Sequence, residues 1–298
     1  MDRFPTADER WPRQGIVMTK KVFIIGNGES RKDFDLTKLR EHGKIYACNA
    51  YYRDNPLPDV LIAVDSTMTH EIYHKGVAHK IPCYFRDWTK VPAMTYESML
   101  LGGMDEVEAK KHIDEILVSN ERDNAKEYVM HGSNLAGIVD MIKRNGEKVK
   151  KNVNHSTIKV SWIHEPDYSH SISDLKPLNN EKNGDFGWAC GASSAYVAIL
   201  REKPEQIFMI GHDLYSHNNK INNLYKSTKH YTAKDNGPTP AVNWIRQWKT
   251  LFHEFPDIQF NKVNISNDGR DDVNRPIDEW SAYKNLVYID YSTLDNLL

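Results

Sequence analysis

Short apolar runs that end in glycine, asparagine or aspartate constrain the fold of this chain more than any other feature of its sequence. The first run, Val22–Ile25, leads directly into a loop at 26–30 with the sequence GNGES. Similar runs lie at 44–49, 60–65, 81–85 and 206–211. Uninterrupted apolar strands of this kind are typical of sheets covered on both faces. Because helix-sized connections separate them, the sequence predicts an α/β fold, namely a Rossmann-like, mainly parallel sheet flanked by helices.

The remaining segments divide into predicted helices, loops and a short lead-in. We expect a short helical or turn segment at 36–41, helical structure in the second half of 98–117, helices at 192–200 and 240–253, and a closing strand at 257–263. The polar segment 164–185 is predicted to be a loop, and the acidic tail 267–279 is predicted to be exposed. We expect one nucleotide-sugar-binding domain over 20–298, with lid or insertion segments at about 98–185 and 216–240. Residues 1–19 are interpreted as a disordered lead-in, an upstream start or a remnant of expression.

Composition argues against several classes of protein. The 298-residue chain carries a formal net charge of −2, whereas a dedicated nucleic-acid binder usually has a strongly basic face. No apolar run reaches the roughly 18 residues that suggest a membrane span. Three scattered cysteines are too few for a disulfide framework, and residues 1–17 lack the apolar core of a signal peptide. We therefore predict a cytoplasmic protein without a membrane span.

Candidate nucleotide-binding residues follow the first two predicted strands. Glycines after a strand let a ligand approach the backbone closely, so Asn27, Gly28 and Ser30 are candidates, although the loop lacks the third glycine of the dinucleotide fingerprint. Asn49 follows the second strand, and ligands of open α/β sheets bind outside the carboxyl ends of the strands. Amide side chains there suit phosphate, ribose or base. The alternative is that these residues only shape turns.

A second group of candidates follows the predicted strand at 206–211. Asp213 and Tyr215 come directly after it, and Tyr225 and His230 lie a little further along the chain. Tyrosine hydroxyls could stabilise the charge on a departing phosphate, and a histidine titrates close enough to neutral pH to act as a general base. For His230 alone, a solvated or structural role is the competing interpretation.

Asp65 is a possible metal ligand and Ser193 a possible ligand contact. Asp65 ends the third predicted strand but lacks the second nearby acid of an Asp-x-Asp pair, and no spaced His or Cys motif is present, so no metal site is predicted. Ser193 lies in a run of small residues that opens a predicted helix. Such residues make room for a ligand, or Ser193 simply caps the helix.

Two blocks of the chain resemble a known family. Residues 20–30 (KKVFIIGNGES) and 46–52 (YACNAYY) resemble the amino-terminal region of bacterial sialyltransferases of glycosyltransferase family 42. Residues 191–215, ending in IGHDLY, are similar to the small-residue helix and following strand of the same family. Glu29 stands where the family has proline.

The resemblance implies a Rossmann-like fold with a smaller lid and a CMP-linked sugar as co-substrate, bound without a metal or other cofactor. It places Asn27, Gly28, Asn49 and Ser193 near the donor nucleotide, and Asp213 beside its ribose or base. Tyr215 corresponds to a tyrosine that contacts the leaving phosphate, Tyr225 is the best counterpart of a second, and His230 is the histidine available as base.

The expected function is transfer of a sugar from a nucleotide-activated donor to a hydroxyl of a glycan or another acceptor, with inversion and without metal. One alternative is a Mg²⁺-dependent pterin pyrophosphokinase-like enzyme that would use Asp65 and Asp213 as ligands. Another is a non-catalytic nucleotide-binding or assembly protein with the same fold. A modified-DNA acceptor stays open because the stretch at 143–151 is basic, and so does a homo-oligomeric state.

Overall fold

The computed structural model describes residues 21–95, 122–132, 159–175, 188–216, 219–264 and 276–298. Eight parallel strands in these ranges form one twisted sheet. They are β1 (Lys21–Ile25), β2 (Lys44–Cys48), β3 (Val60–Ala63), β4 (Cys83–Phe85), β8 (Ser169–Ser171), β9 (Gln206–Ile210), β10 (Gln259–Asn264) and β11 (Leu286–Asp290). Three others, β5 (Val91–Pro92), β6 (Glu127–His131) and β7 (Lys159–Ile163), form a small antiparallel sheet. The predicted α/β, Rossmann-like fold is confirmed.

The spatial order of the parallel sheet is β11-β10-β9-β1-β2-β3-β4-β8. The chain starts at β1 and adds strands in one direction as far as β8. It then crosses back to place β9 on the other side of β1, where Ile25 lies opposite Ile210. The direction of winding therefore reverses between β1 and β9. In open α/β sheets, ligands bind at the carboxyl ends of the strands at this reversal.

Helices cover both faces of the sheet, which explains why the central strands are apolar throughout. The described α-helices are α1 (Ser66–His74), α2 (Cys190–Glu202), α3 (Val242–Glu254) and α4 (Tyr291–Leu297). Side chains alternate along β1, so Val22 and Ile24 pack with α2 and α3, whereas Phe23 and Ile25 pack with α1 and α4. Helices α2 and α3 lie close to the positions predicted for them.

Three predictions need correction. The segment 164–185 is not all loop, because Ser169–Ser171 pairs with β4 as an edge strand. Its polar sequence hides the strand, since buried Ser169 is satisfied by Trp88, whose indole nitrogen donates to the serine hydroxyl over 2.8 Å. The strand β10 is not the closing strand, because β11 and α4 follow it. Most of the predicted tail 267–279 lies outside the described ranges, and of its four described residues Ile277 is buried rather than exposed.

Several sequence-based predictions concern residues outside the described ranges: the lead-in 1–19, the helix at 98–117 and the basic stretch 143–151. The helical or turn segment predicted at 36–41 is a 3-10 helix (Leu36–Glu41). Within the described ranges, no helix has both the length and the apolarity needed to cross a lipid bilayer.

Candidate functional site

The loops that follow β1 and β9 pack directly against each other at the reversal. The backbone nitrogens of Gly26 and Gly28 donate to the carbonyl oxygens of Ile210 and Gly211, each over 2.8 Å. A Cβ at Gly26 would lie 2.4 Å from the Gly211 oxygen. A Cβ at Gly28 would lie 2.4 Å from the carboxylate of Asp213. In the described chain, the space beside Gly28 is thus filled by Asp213.

Ser30 and Asp213 form a bridge between these two loops. The Ser30 backbone nitrogen donates to one carboxylate oxygen of Asp213 over 2.8 Å, and the Ser30 hydroxyl donates to the other. The structure therefore brings together two candidates from distant parts of the sequence. Because both carboxylate oxygens accept hydrogen bonds from Ser30, Asp213 holds the last residue of the loop after β1 in place.

Asn27 links the ends of β1 and β2 to a later segment of the chain. Its side-chain nitrogen donates to the carbonyl oxygen of Cys48 over 3.2 Å and lies 3.3 Å from the hydroxyl of Tyr231. That hydroxyl also accepts from the backbone nitrogen of Ala50 over 3.3 Å. The backbone oxygen of Asn27 accepts from the Leu224 nitrogen over 2.9 Å.

Asn49, at the end of β2, is strained and incompletely bonded. Its φ angle of 50° lies in the left-handed region, which costs energy for any residue that has a Cβ. Its side-chain carbonyl oxygen is buried and accepts no hydrogen bond from the described residues. A buried acceptor without a donor is also unfavourable. Asn49 therefore carries two local costs in the folded protein.

Residues 219–236, here called the capping loop, lie over Asn27 and the loop after β1. The loop is closed on itself by a hydrogen bond of 3.0 Å from the Ile221 nitrogen to the Asn236 oxygen. Lys226 forms an ion pair of 2.6 Å with Glu29, whose backbone nitrogen donates to the side chain of Asn222 over 2.9 Å. The loop therefore covers the polar groups at the carboxyl end of β1.

The two candidate tyrosines occupy different environments. Tyr225 belongs to the capping loop and is buried, and its hydroxyl lies 3.5 Å from a guanidinium nitrogen of Arg31. Burial raises the pKa of Tyr225 despite the nearby positive charge of Arg31. Tyr215 is half-buried and packs with the cluster around α2 and α3, whereas Tyr225 packs with the cluster on the opposite face.

His230 is held by Glu71, a residue that sequence reasoning missed. Its Nε2 lies 3.2 Å from a carboxylate oxygen of Glu71. The other carboxylate oxygen accepts from the hydroxyl of Tyr52 and from a guanidinium nitrogen of Arg53, each over 2.6 Å. Although partial burial opposes the shift, these hydrogen bonds lower the pKa of Glu71.

Burial also lowers the pKa of His230, against the attraction of Glu71. In the neutral tautomer that this contact favours, Nε2–H donates to Glu71. Its Nδ1 then carries the free lone pair, which is the form that a general base requires. The sequence of α1 is too polar to show helical periodicity, so the contact between Glu71 and His230 could not be predicted from it.

Ser193 lies in the first turn of α2 and is almost completely buried. Its hydroxyl lies 3.5 Å from the carbonyl oxygen of Trp188, and its backbone nitrogen bonds to the oxygen of Ala189. Its hydroxyl therefore bonds to the backbone at the start of its own helix. The neighbouring Gly191 lies against His212, where a Cβ would approach the imidazole to 2.6 Å.

Two buried cations at this end of the sheet were not singled out from the sequence. Arg31 is 4 % exposed and its Nε donates to the Gly26 oxygen over 2.6 Å. Lys262 on β10 is 2 % exposed and its ammonium group donates to the side-chain oxygen of Asn264 over 2.6 Å. Burial lowers the pKa of Lys262 to about 8, although the attraction of Asp213 opposes the shift.

In the part of the chain that the structure describes, no three His, Cys, Asp or Glu side chains are arranged to hold a metal ion. Asp65 precedes α1, and its side chain makes no capping hydrogen bond to that helix. Comparisons with protein-family models, with curated proteins and with solved structures find no match to this chain.

Proposed function

We propose that this protein is a glycosyltransferase that uses a nucleotide-activated sugar, most simply a CMP-linked one. The observation that carries the proposal is the strained Asn49, whose buried side-chain oxygen has no donor within the described residues. It lies at the end of the strand next to β1, close to the reversal where open α/β sheets bind ligands. A base amino group or a ribose hydroxyl would supply the missing donor.

The proposed reaction forms a bond between an acceptor oxygen and the anomeric carbon of the donor sugar while the bond to the nucleotide phosphate breaks. The acceptor hydroxyl loses its proton to Nδ1 of His230, and Glu71 holds the ring and stabilises the imidazolium that forms. The leaving phosphate departs with the bonding electron pair. A hydrogen bond from Tyr225 would stabilise its negative charge, whereas Tyr215 packs on the other face of the sheet and would have to turn toward the phosphate to do the same. Attack from the face opposite the phosphate inverts the anomeric centre.

The capping loop must move for the donor to enter, because Tyr225 is buried and the loop bonds to Asn27. The acceptor is proposed to be a glycan or another hydroxyl-bearing molecule in the cytoplasm. The pyrophosphokinase alternative is not favoured by any contact at the site, since both carboxylate oxygens of Asp213 already accept from Ser30.

The first test is a thermal-shift screen with CMP, CDP, UDP, GDP, ADP and ATP, each with and without Mg²⁺. A ligand that binds only the folded state adds about 2.7 kcal/mol at a hundredfold excess over Kd. We expect stabilisation by CMP that does not need Mg²⁺. Stabilisation only by ATP with Mg²⁺ would favour the pyrophosphokinase, and no response to any nucleotide would contradict the proposal.

The second test measures CMP release from CMP-sugars by the variant His230→Gln. Removing a general base typically costs about 10²–10⁴-fold in rate. We expect that loss with unchanged affinity for CMP. The matched control is His253→Gln, because His253 is an exposed histidine in the last turn of α3. Equal turnover of the two variants would remove His230 from the mechanism.

A further inference from the structure

Arg31 is a buried cation at the point where the sheet reverses. It ends the short 3-10 helix that follows the loop after β1. One guanidinium nitrogen, Nη2, lies 3.4 Å from the side-chain oxygen of Asn27 and 3.5 Å from the hydroxyl of Tyr225. The Nε bond to Gly26 completes the hydrogen bonds that the Arg31 side chain makes to described residues. Nη1 therefore has no protein acceptor among them.

No carboxylate of the described ranges forms an ion pair with Arg31, unlike the half-buried Arg53, which pairs with Glu71 over 2.6 Å. Two carboxylates of this region are engaged elsewhere: Asp213 accepts from Ser30, and Asp54 interacts with the hydroxyl of Tyr225. The Arg31 guanidinium instead lies 5.7 Å from the centre of the Tyr51 ring. A cation–π contact offsets only part of the cost of burying a charge.

A second positive charge lies in the same region. Lys262 is buried and hydrogen-bonds to a neutral amide, and both Lys262 and Arg31 act electrostatically on the buried imidazole of His212. Lys262 is attracted by Asp213, whereas Arg31 forms an ion pair with no carboxylate of the described ranges. The excess positive charge calls for an anion that the described residues do not supply.

We propose that Arg31 binds a phosphoryl group of the nucleotide, with the side chains of Asn27 and Tyr225 beside it. A guanidinium presents parallel N–H donors that match phosphate oxygens, so an unpaired Nη1 beside a bonded Nη2 fits this ligand better than it fits a neutral sugar. The inference rests on the proposed nucleotide-dependent function, and it names the residue that distinguishes a nucleotide from a nucleoside.

Access to Arg31 requires the capping loop to lift Tyr225 away. The fastening between Lys226 and Glu29 is a partly exposed ion pair, and such pairs are weak and screened by salt. Opening also breaks the backbone bond of Leu224 to Asn27 and the contact of His230 with Glu71, neither of which pairs strands of the sheet. Once the phosphate is bound, the hydroxyl of Tyr225 returns to the anion that Arg31 holds.

The test is isothermal titration of the full chain with CMP, cytidine and inorganic pyrophosphate. We expect the wild-type protein to bind CMP at least about tenfold more tightly than cytidine, because a hydrogen bond to a charged group is worth roughly a ten- to hundredfold change in Kd. Arg31→Gln should abolish this preference and leave cytidine affinity unchanged. Arg31→Lys should keep part of the preference for CMP, since lysine keeps the positive charge but lacks the paired N–H donors of the guanidinium. Arg246→Gln, at an exposed arginine of α3, is the matched control and should bind as wild type.

Each other outcome contradicts a different statement. Equal wild-type affinity for CMP and cytidine would overturn the role of Arg31 and leave nucleotide-site binding intact. An Arg31→Gln variant that loses CMP and cytidine equally would show that Arg31 only shapes the loop. Arg31-dependent binding of pyrophosphate without binding of CMP would support the anion site and contradict the proposed nucleotide function. If Arg31→Gln does not fold, the affinities of the wild-type protein and of Arg31→Lys for CMP and cytidine still test whether Arg31 binds the phosphate.

Discussion

Replacing Asn49 by glycine distinguishes the cost of Asn49 to the stability of the protein from its proposed contribution to nucleotide binding. An L-residue in the left-handed region costs roughly 1–2 kcal/mol, somewhat less for asparagine, and the unpaired buried oxygen costs about 1–3 kcal/mol. Glycine removes both costs but adds about 0.5–1 kcal/mol of unfolded-state entropy. The expected net effect of Asn49→Gly is therefore a gain of at least about 1 kcal/mol in the free energy of unfolding.

For a domain of this size, a gain of that order raises Tm by roughly 2–8 °C. The same substitution removes the amide that would bind the nucleotide, so we expect at least about a fivefold weaker Kd for CMP, the value of one hydrogen bond. The assay is thermal unfolding of the free protein together with titration by CMP. A more stable protein that binds its ligand less well is the signature of strain kept for function.

Asn124→Gly is the matched control. Asn124 also has a left-handed φ, of 63°, but its side chain is exposed and lies on the strand-preceding loop of the small sheet. We expect a small gain in Tm and unchanged affinity for CMP. A fall in Tm for Asn49→Gly would refute the strain argument, and unchanged CMP affinity would refute the assignment of Asn49 to the ligand.

Three further predictions follow from packing and charge. Gly28→Ala should lower the free energy of unfolding by about 1–3 kcal/mol because its Cβ would overlap a carboxylate at 2.4 Å, whereas Gly237→Ala, with its nearest atom 4.0 Å away, should be nearly neutral in urea titrations. Glu71→Gln should lower the free energy of unfolding by about 1–3 kcal/mol, because the carboxylate that holds the capping loop is lost. It should also speed the hydrogen exchange of backbone amides around His230. Burial lowers the pKa of His131 to about 3. Its contribution to stability is therefore complete above the unfolded pKa near 6.5 and is lost as the pH falls below that value. His131→Gln should reduce the slope of the unfolding free energy against pH by up to about 1.4 kcal/mol per pH unit between pH 6 and 4.

Outcomes of the opposite sign would contradict these predictions individually. Equal stabilities of the two glycine variants would mean that the loops after β1 and β9 adjust to a methyl group. Unchanged exchange in Glu71→Gln would mean that other contacts, such as Lys226–Glu29 and Leu224–Asn27, suffice to hold the capping loop. An unchanged pH slope in His131→Gln would mean that His131 is protonated in the folded protein.

The strands and their polar ends were predictable because burial on both faces leaves an uninterrupted apolar run. Val22–Ile25 and the run at 206–211 have this composition, and the candidates placed after them meet at the reversal. The strand Ser169–Ser171 could not be found in this way, because its serines are buried as hydrogen-bond partners rather than as apolar groups.

The partners within the site were beyond sequence reasoning. Glu71 belongs to a helix rich in polar residues, and its contact with His230 joins parts of the chain that no local pattern relates. An arginine after a loop, such as Arg31, ordinarily extends into solvent, so its burial emerges only once Tyr225 of the capping loop lies over it. The pairing of Ser30 with Asp213 likewise depends on the strand order.

The junction of β1 with β9 also bears on how the protein is made. Ser30 and Asp213 are 183 residues apart, so at about 5–20 residues per second the ribosome needs roughly 10–40 s to supply the second half of the junction after the first. During this interval, the apolar edge of β1 has no neighbour on its β9 side. An unpaired apolar edge is a template for association with other chains. The strand that positions the candidate site is thus also the one that a nascent-chain chaperone would have most reason to shield.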